Sequence, residues 1–183
     1  MSVLVHGGAG GVGHVGIQIA NALGVRVFAT GRTGDQDLIR TLGAEPIDFT
    51  SEPVEAYVER LTGGEGFDRI FDTVGTQNIA TSFAAAKLNG HVVTTVSLCE
   101  LDPTLAHISG LSLHVIYMLM PMIQNVGRER HGETLREVAR LVEEGKLKPL
   151  LDSTFPPAEA SAAHRRLESG EVTGKVVVQV TPD

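Results

Sequence analysis

Residues 1–16, MSVLVHGGAGGVGHVG, pass from branched apolar side chains through a crowd of glycines into a helical pattern. Residues 2–6 have the composition of a buried parallel strand. Gly8, Gly10 and Gly13 satisfy G-x-G-x-x-G, and Val12, Val15, Ile19, Ala20 and Leu23 then recur at helical spacing, which predicts one apolar, sheet-facing side. Strand, glycine turn and helix together form the setting in which that pattern binds a dinucleotide; without them it is only a flexible loop. One glycine permits the tight turn, one lets backbone N–H groups approach a pyrophosphate, and the last lets the helix pack on the strand. The helix N-terminus adds partial positive charge facing the phosphates. Gly8, Gly10, Gly11, Val12 and Gly13 are therefore candidate cofactor contacts.

Working outward, Gly24 stops the first helix and residues 25–30 (VRVFAT) read as a second buried strand. Domains that bind NAD place an Asp or Glu at the end of this strand to hold the ribose 2′-hydroxyl. Here Gly31 and Arg32 stand there instead. Gly31 removes a carboxylate that would repel a 2′-phosphate, and Arg32 offers a bidentate fork for one, so NADPH is the expected cofactor. The plainer reading of Arg32 is a solvated loop arginine. Asp35 and Asp37 come slightly late and read as caps of a short helix ending near Leu42.

Residues 46–49 (PIDF) form a third candidate strand, with Phe49 either against the adenine or simply in the core. Ser51 opens a helix to Leu61, and residues 69–73 (RIFDT) read as a fourth strand. Asp72, at its end, reads as a structural carboxylate rather than a catalytic one. A helix through residues 80–88 and a fifth strand at 91–97 follow. Open α/β sheets bind ligands beyond the carboxyl ends of their strands, which places Val96 and Ser97 near the nicotinamide ribose. Cys99 has no basic neighbour and reads as inert. His107, His114 and His131 fit no zinc spacing. Residues 111–120 are strand-like, residues 132–145 an amphipathic helix with Leu135, Val138, Ala139, Leu141 and Val142 inward, and residues 175–180 a last strand.

The whole is a doubly wound Rossmann α/β fold, a parallel sheet with helices on both faces. With 183 residues and 42% apolar content, the chain can bury one good core. A net charge of −7 argues against non-specific nucleic-acid binding. The longest apolar run, 111–123, is too short to span a bilayer and contains Pro121. A single cysteine excludes an internal disulfide framework and a multi-cysteine zinc site within these residues. No leader sequence is visible, and a cytoplasmic protein is expected.

HGGAGGVG followed by Gln18 resembles the zinc-free quinone oxidoreductase (zeta-crystallin-like) branch of the medium-chain dehydrogenase/reductase superfamily. The branch signature carries a basic or serine residue where Asn21 stands here, and tyrosine often replaces Phe49. LGA at 42–44, D-x-V-G at 72–75 and the stretch 147–180 resemble the same family. The resemblance implies that the backbone at Thr73 and Val74 lies near the cofactor, and that residues 111–118 form an edge strand pairing two subunits. Edges of that hydrophobicity are normally covered, so a homodimer is expected. It also implies a cofactor domain at 1–148 and a segment 149–183 that returns to a separate catalytic domain preceding Met1. An excised cofactor domain is expected, with residues 175–180 left with an unpaired edge, NADPH bound and little turnover on its own. The implied reaction is hydride transfer from NADPH to a quinone or an enone. No side chain is assigned as catalytic. Two alternatives remain open: a non-catalytic NADPH-binding module, or the cofactor domain of a zinc-dependent alcohol dehydrogenase.

Overall fold

The computed structural model describes residues 1–180. The apolar runs noted above become a six-stranded parallel sheet: β1 (Ser2–His6), β2 (Arg26–Gly31), β3 (Glu45–Asp48), β4 (Phe67–Asp72), β5 (Ala86–Thr94) and β6 (Ser112–Val115). Their order is β3-β2-β1-β4-β5-β6, with Val5 of β1 beside Ala29 on one side and Phe71 on the other. The winding reverses between β1 and β4, the position where such sheets open a crevice at the strands' carboxyl ends.

Successive strand residues point to opposite faces, and each face is apolar. On one face, Leu4, Phe28, Ile47, Phe67 and Ile70 pack with Tyr57 of α3 (Val54–Thr62) and Ile79 and Phe83 of α4 (Asn78–Ala85). On the other, Val5, Val27 and Ala29 pack with Ile17 of α1 (Gly13–Ala22) and Ile39 of α2 (Gln36–Thr41). Helices thus cover both faces, the doubly wound α/β architecture expected. The remaining elements are α5 (Thr104–Ile108), α6 (Leu119–Ile123), α7 (Arg128–Glu143), β7 (Leu151–Phe155), α8 (Ala160–Glu168) and β8 (Lys175–Val178). Among the described residues no helix is long and apolar enough to cross a membrane.

Several elements differ from expectation. α1 buries Gly13, His14, Ile17 and Gln18, not the Val12–Leu23 stripe; Val12 and Leu23 are exposed. Its polar His14 and Gln18 face inward because residues 148–150 supply their hydrogen-bond partners. α4 ends at Ala85 rather than Leu88, since Ala86 already pairs with Phe67 of β4. β5 stops at Thr94 because the Thr94 hydroxyl donates to the Val96 carbonyl at 3.0 Å and accepts from the Val96 N–H, closing a turn. β6 is four residues long, and Leu119–Ile123 coil into a helix whose Pro121 falls in the first turn, where its missing N–H costs nothing. α7 starts four residues early, at Arg128, after the left-handed Gly127. None of its apolar stripe is buried: Val138 and Leu141 are half-buried, Ala139 and Val142 are exposed, and Leu135 is 68% exposed. β7, unrecognised in the sequence, lies parallel to β8 and forms with it a separate two-stranded sheet, in which β8 keeps one unpaired edge among the described residues.

Candidate functional site

The glycine turn after β1 and the carboxyl ends of β2, β3 and β4 enclose a groove of about 440 Å³. Gly10, Gly11 and Val12 form one wall, Gly31, Arg32 and Phe49 another, and Thr73 and Val74 a third. Eight of the twelve expected contacts are therefore brought together.

Two more, Gly8 and Gly13, act from behind the wall. A Cβ at Gly13 would sit 2.0 Å from the Gly7 carbonyl oxygen, and one at Gly8 would sit 2.8 Å from Cβ of Ala29. The turn can close only because both lack side chains. The tight approach of α1 to the sheet is set one turn later, at Gly16, where a Cβ would stand 2.8 Å from the Phe71 ring. α1 has no side-chain cap, so its N-terminal end is open towards the groove, a site suited to an anion.

Val96 and Ser97 are not part of this lining. Val96 instead supports the loop after β4, accepting from the Thr76 N–H at 3.3 Å. Asp72 is fully buried and holds that same loop: its carboxylate accepts from the N–H groups of Val74 and Gly75 at 2.9 and 2.8 Å and from the Ser82 hydroxyl at 2.8 Å. This is the structural role expected of it. Cys99 donates at 3.5 Å to the Thr76 carbonyl.

The end of β2 carries no carboxylate, and a Cβ at Gly31 would stand 2.5 Å from the tip of the Ile39 side chain and 2.9 Å from Cβ of Asp35, so a side chain there would have to move both. Arg32 follows, its N–H donating to the Asp35 carboxylate at 2.9 Å. Its guanidinium is not a free fork: Nη1 donates at 2.6 Å to the Gly170 carbonyl. The remaining guanidinium N–H groups stay available to an anion.

Sequence reasoning missed the strap of residues 170–173, which forms the fourth wall of the groove. Three sets of bonds hold it there. The Gly174 N–H donates to the Ala9 carbonyl at 3.0 Å. His14 bridges the Gly10 carbonyl and the Leu150 N–H at 2.8 and 3.1 Å. Arg166 grips Asp152 through Nε and Nη2 at 2.8 and 2.7 Å, which holds the Asp152 carboxyl well below the usual range. Lys175, at the strap's end, stands over Gly11, with Nζ 2.9 Å from where a Cβ would be. Arg32 and Lys175 thus place two cations at the groove of an otherwise acidic chain. Arg32 was expected from its place at the end of β2, whereas Lys175 was read only as the first residue of a strand.

Residues 42–178 match the protein family described as "Zinc-binding dehydrogenase". The chain belongs to that family. It is 33% identical over 97% of its length to "NAD(P)H oxidoreductase RTN4IP1, mitochondrial" of Mus musculus, covering 47% of that protein. It is 30% identical over 97% of its length to "Trans-enoyl reductase poxH" of Penicillium oxalicum, covering 49% of it. The crystal structure of an alcohol dehydrogenase superfamily protein from Novosphingobium aromaticivorans superposes with a TM-score of 0.90 at 39% identity, over 97% of this chain and 56% of that one. The chain thus spans about half the length of the curated relatives it matches.

A groove lined by glycine backbone and Arg32, with an open helix end and Lys175 close to Gly11, suits a dinucleotide, and this is the NAD(P)-binding domain of an oxidoreductase family. Among the described residues no three His, Cys, Asp or Glu side chains come together as ligands.

Proposed function

We propose that this chain is the NADPH-binding half of a reductase that passes a hydride to a quinone or an activated alkene, in the manner of the zinc-free quinone oxidoreductases. The observation that carries the reading is Arg32 at the end of β2, on the wall of the groove, next to a Gly31 that brings no carboxylate. In this reading Gly10–Val12 receive the diphosphate and Arg32 holds the 2′-phosphate. Thr73, Val74, Val96 and Ser97 lie toward the nicotinamide side. When bound, the reduced nicotinamide supplies the hydride. The name of the trans-enoyl reductase relative supports an activated alkene as acceptor.

Asp35 favours a second reading, because its carboxylate also lines the groove and could hold a free ribose 2′-hydroxyl. That carboxylate is already bound by the Arg32 N–H, which favours the first reading. Calorimetric titration separates the two. NADPH should bind more tightly than NADH, and Arg32→Ala should cost NADPH about 1.5–3 kcal/mol, the worth of a hydrogen bond to a charged group, while NADH is nearly unaffected. Equal affinity for both cofactors in the parent chain would overturn the assignment.

We further propose that the protein works as a homodimer joined along β6, and that residues 149–183 return to a catalytic domain. β6 pairs with β5 alone, and the residues following it, Ile116, Tyr117 and Met118, are exposed.

A further inference from the structure

Among the described residues β6, the last strand of the large sheet, is held to it only by β5, in register from His91 beside Ser112 to Thr94 beside Val115. Within that register Val93 stands beside His114, so His91 and His114 leave the same face of the sheet, one diagonal step apart. It is the face that carries α1, since Val93 aligns with Phe71 of β4 and Phe71 with Val5 of β1. His91 is half-buried, His114 is exposed, and neither lines the groove.

The two imidazoles meet edge to edge. His91 Nδ1 lies 3.2 Å from His114 Nε2, with the ring planes within 6° of parallel and the ring centres 5.5 Å apart. Centres that far apart, with nitrogens that close, put the two nitrogens between the rings and facing each other. One proton lies between them, so one ring donates and the other accepts. At an exposed edge, where water competes for both groups, such a bond adds little to stability.

Two neutral imidazoles held at this separation are also a preformed chelate. Imidazole nitrogens bind zinc at about 2.0–2.1 Å, so two of them on one ion stand roughly 3 Å apart. The shared proton moves to the outer nitrogen of its own ring, a change of tautomer in which no proton is lost. Both facing nitrogens then offer lone pairs, and turning each ring about its Cβ–Cγ bond, a soft torsion, brings them onto one ion. Paired strands fix both backbones beforehand. Arg69 is the neighbour of His91 in register on β4, and its Nη1 is engaged with the Asp68 carbonyl at 2.9 Å.

We propose that His91 and His114 form a two-imidazole clamp for a divalent ion of the late first-row transition metals (nickel, copper or zinc), and that the ion staples the edge strand β6 to β5. Imidazole is a ligand these ions favour, whereas magnesium and calcium prefer oxygen. Water completes the shell, because no third His, Cys, Asp or Glu joins the pair among the described residues.

The test is calorimetric titration of the chain with Ni(II), Zn(II) and Mg(II), repeated on His91→Asn and His114→Asn. His107→Asn and His164→Asn, changes at two other exposed histidines, serve as controls. Circular dichroism checks that each variant is folded. The expected result is one Ni(II) or Zn(II) per chain and no binding of Mg(II). Each clamp variant should lose about tenfold or more in affinity, since even the loss of a ligand's outer partner costs about 10–100-fold. The controls should bind as the parent does. Electron paramagnetic resonance of the parent with Cu(II) should show coupling to two imidazole nitrogens, and this spectrum decides the matter if a clamp variant fails to fold. Clamp variants that bind as tightly as the parent, or controls that lose as much as the clamp variants, would show scattered surface binding and overturn the proposal. Copper coupled to no more than one nitrogen in the parent would overturn it as well.

Discussion

At the scale of single residues, His6 couples pH to stability. Its folded pKa of about 4 lies below the ordinary 6.5, with burial as the main cause. Between those values the unfolded chain binds more protons than the folded one. The stabilisation is therefore complete above pH 6.5 and is lost as the pH falls toward 4. Lowering the pH from 7 to 5 should cost on the order of 2 kcal/mol through this residue. Urea denaturation at the two pH values checks it: His6→Gln should flatten the dependence, and an unchanged slope would place the proton elsewhere. The glycines were readable residue by residue, because Gly8 and Gly13 meet neighbours of their own turn or the adjacent strand. The role of Arg32 was readable only in part. Its charge and position are in the sequence, but its bond to Gly170 joins residues 138 positions apart.

At the scale of elements, α1 ties the large sheet to the segment that leads into β7. Gln18 donates to the His14 and Lys148 carbonyls at 2.9 and 3.1 Å and accepts from the Lys148 N–H at 2.8 Å. Gln18→Leu keeps a buried side chain of similar length but leaves the Lys148 backbone groups unsatisfied. We expect a loss of about 1–3 kcal/mol in unfolding free energy, the cost of a stranded buried polar group. An unchanged denaturation midpoint would show that water takes Gln18's place. Helical periodicity points to Val12, Val15 and Ile19 as the inward stripe because it weighs only apolarity. It could not see that two polar residues on another face have backbone partners 130 or more positions away.

At the scale of the molecule, apolar surface remains uncovered at one end of the sheet. Ile116, Tyr117, Met118, Leu119 and Ile123 are exposed beside β6, and Leu135 and Val142 of α7 are exposed as well. An open, apolar sheet edge is a surface that proteins normally pair or cover. A two-fold axis along β6 would join two such edges through the same patch on both copies. Sedimentation equilibrium at micromolar concentration should give the dimer mass, and Val115→Lys, a charge on the strand's exposed end, should shift the population to monomer. A monomer mass for the parent chain across that range would remove the proposal.

The sequence by itself determined the sheet, its parallel winding and the place of the groove. These follow from local information: strand-length apolar runs, a glycine turn whose sterics involve near neighbours, and helices between. It also settled that Asp72 is structural and that no carboxylate ends β2. Only the tertiary structure decided what closes the groove and which side chains meet at the edge of the sheet. The strap at 170–173, Lys175 over Gly11 and the pairing of His91 with His114 are meetings of residues far apart in the chain. Nothing in the spacing of those residues encodes their proximity, because it is set by how strands and helices stack, and short-range periodicity carries no record of that stacking.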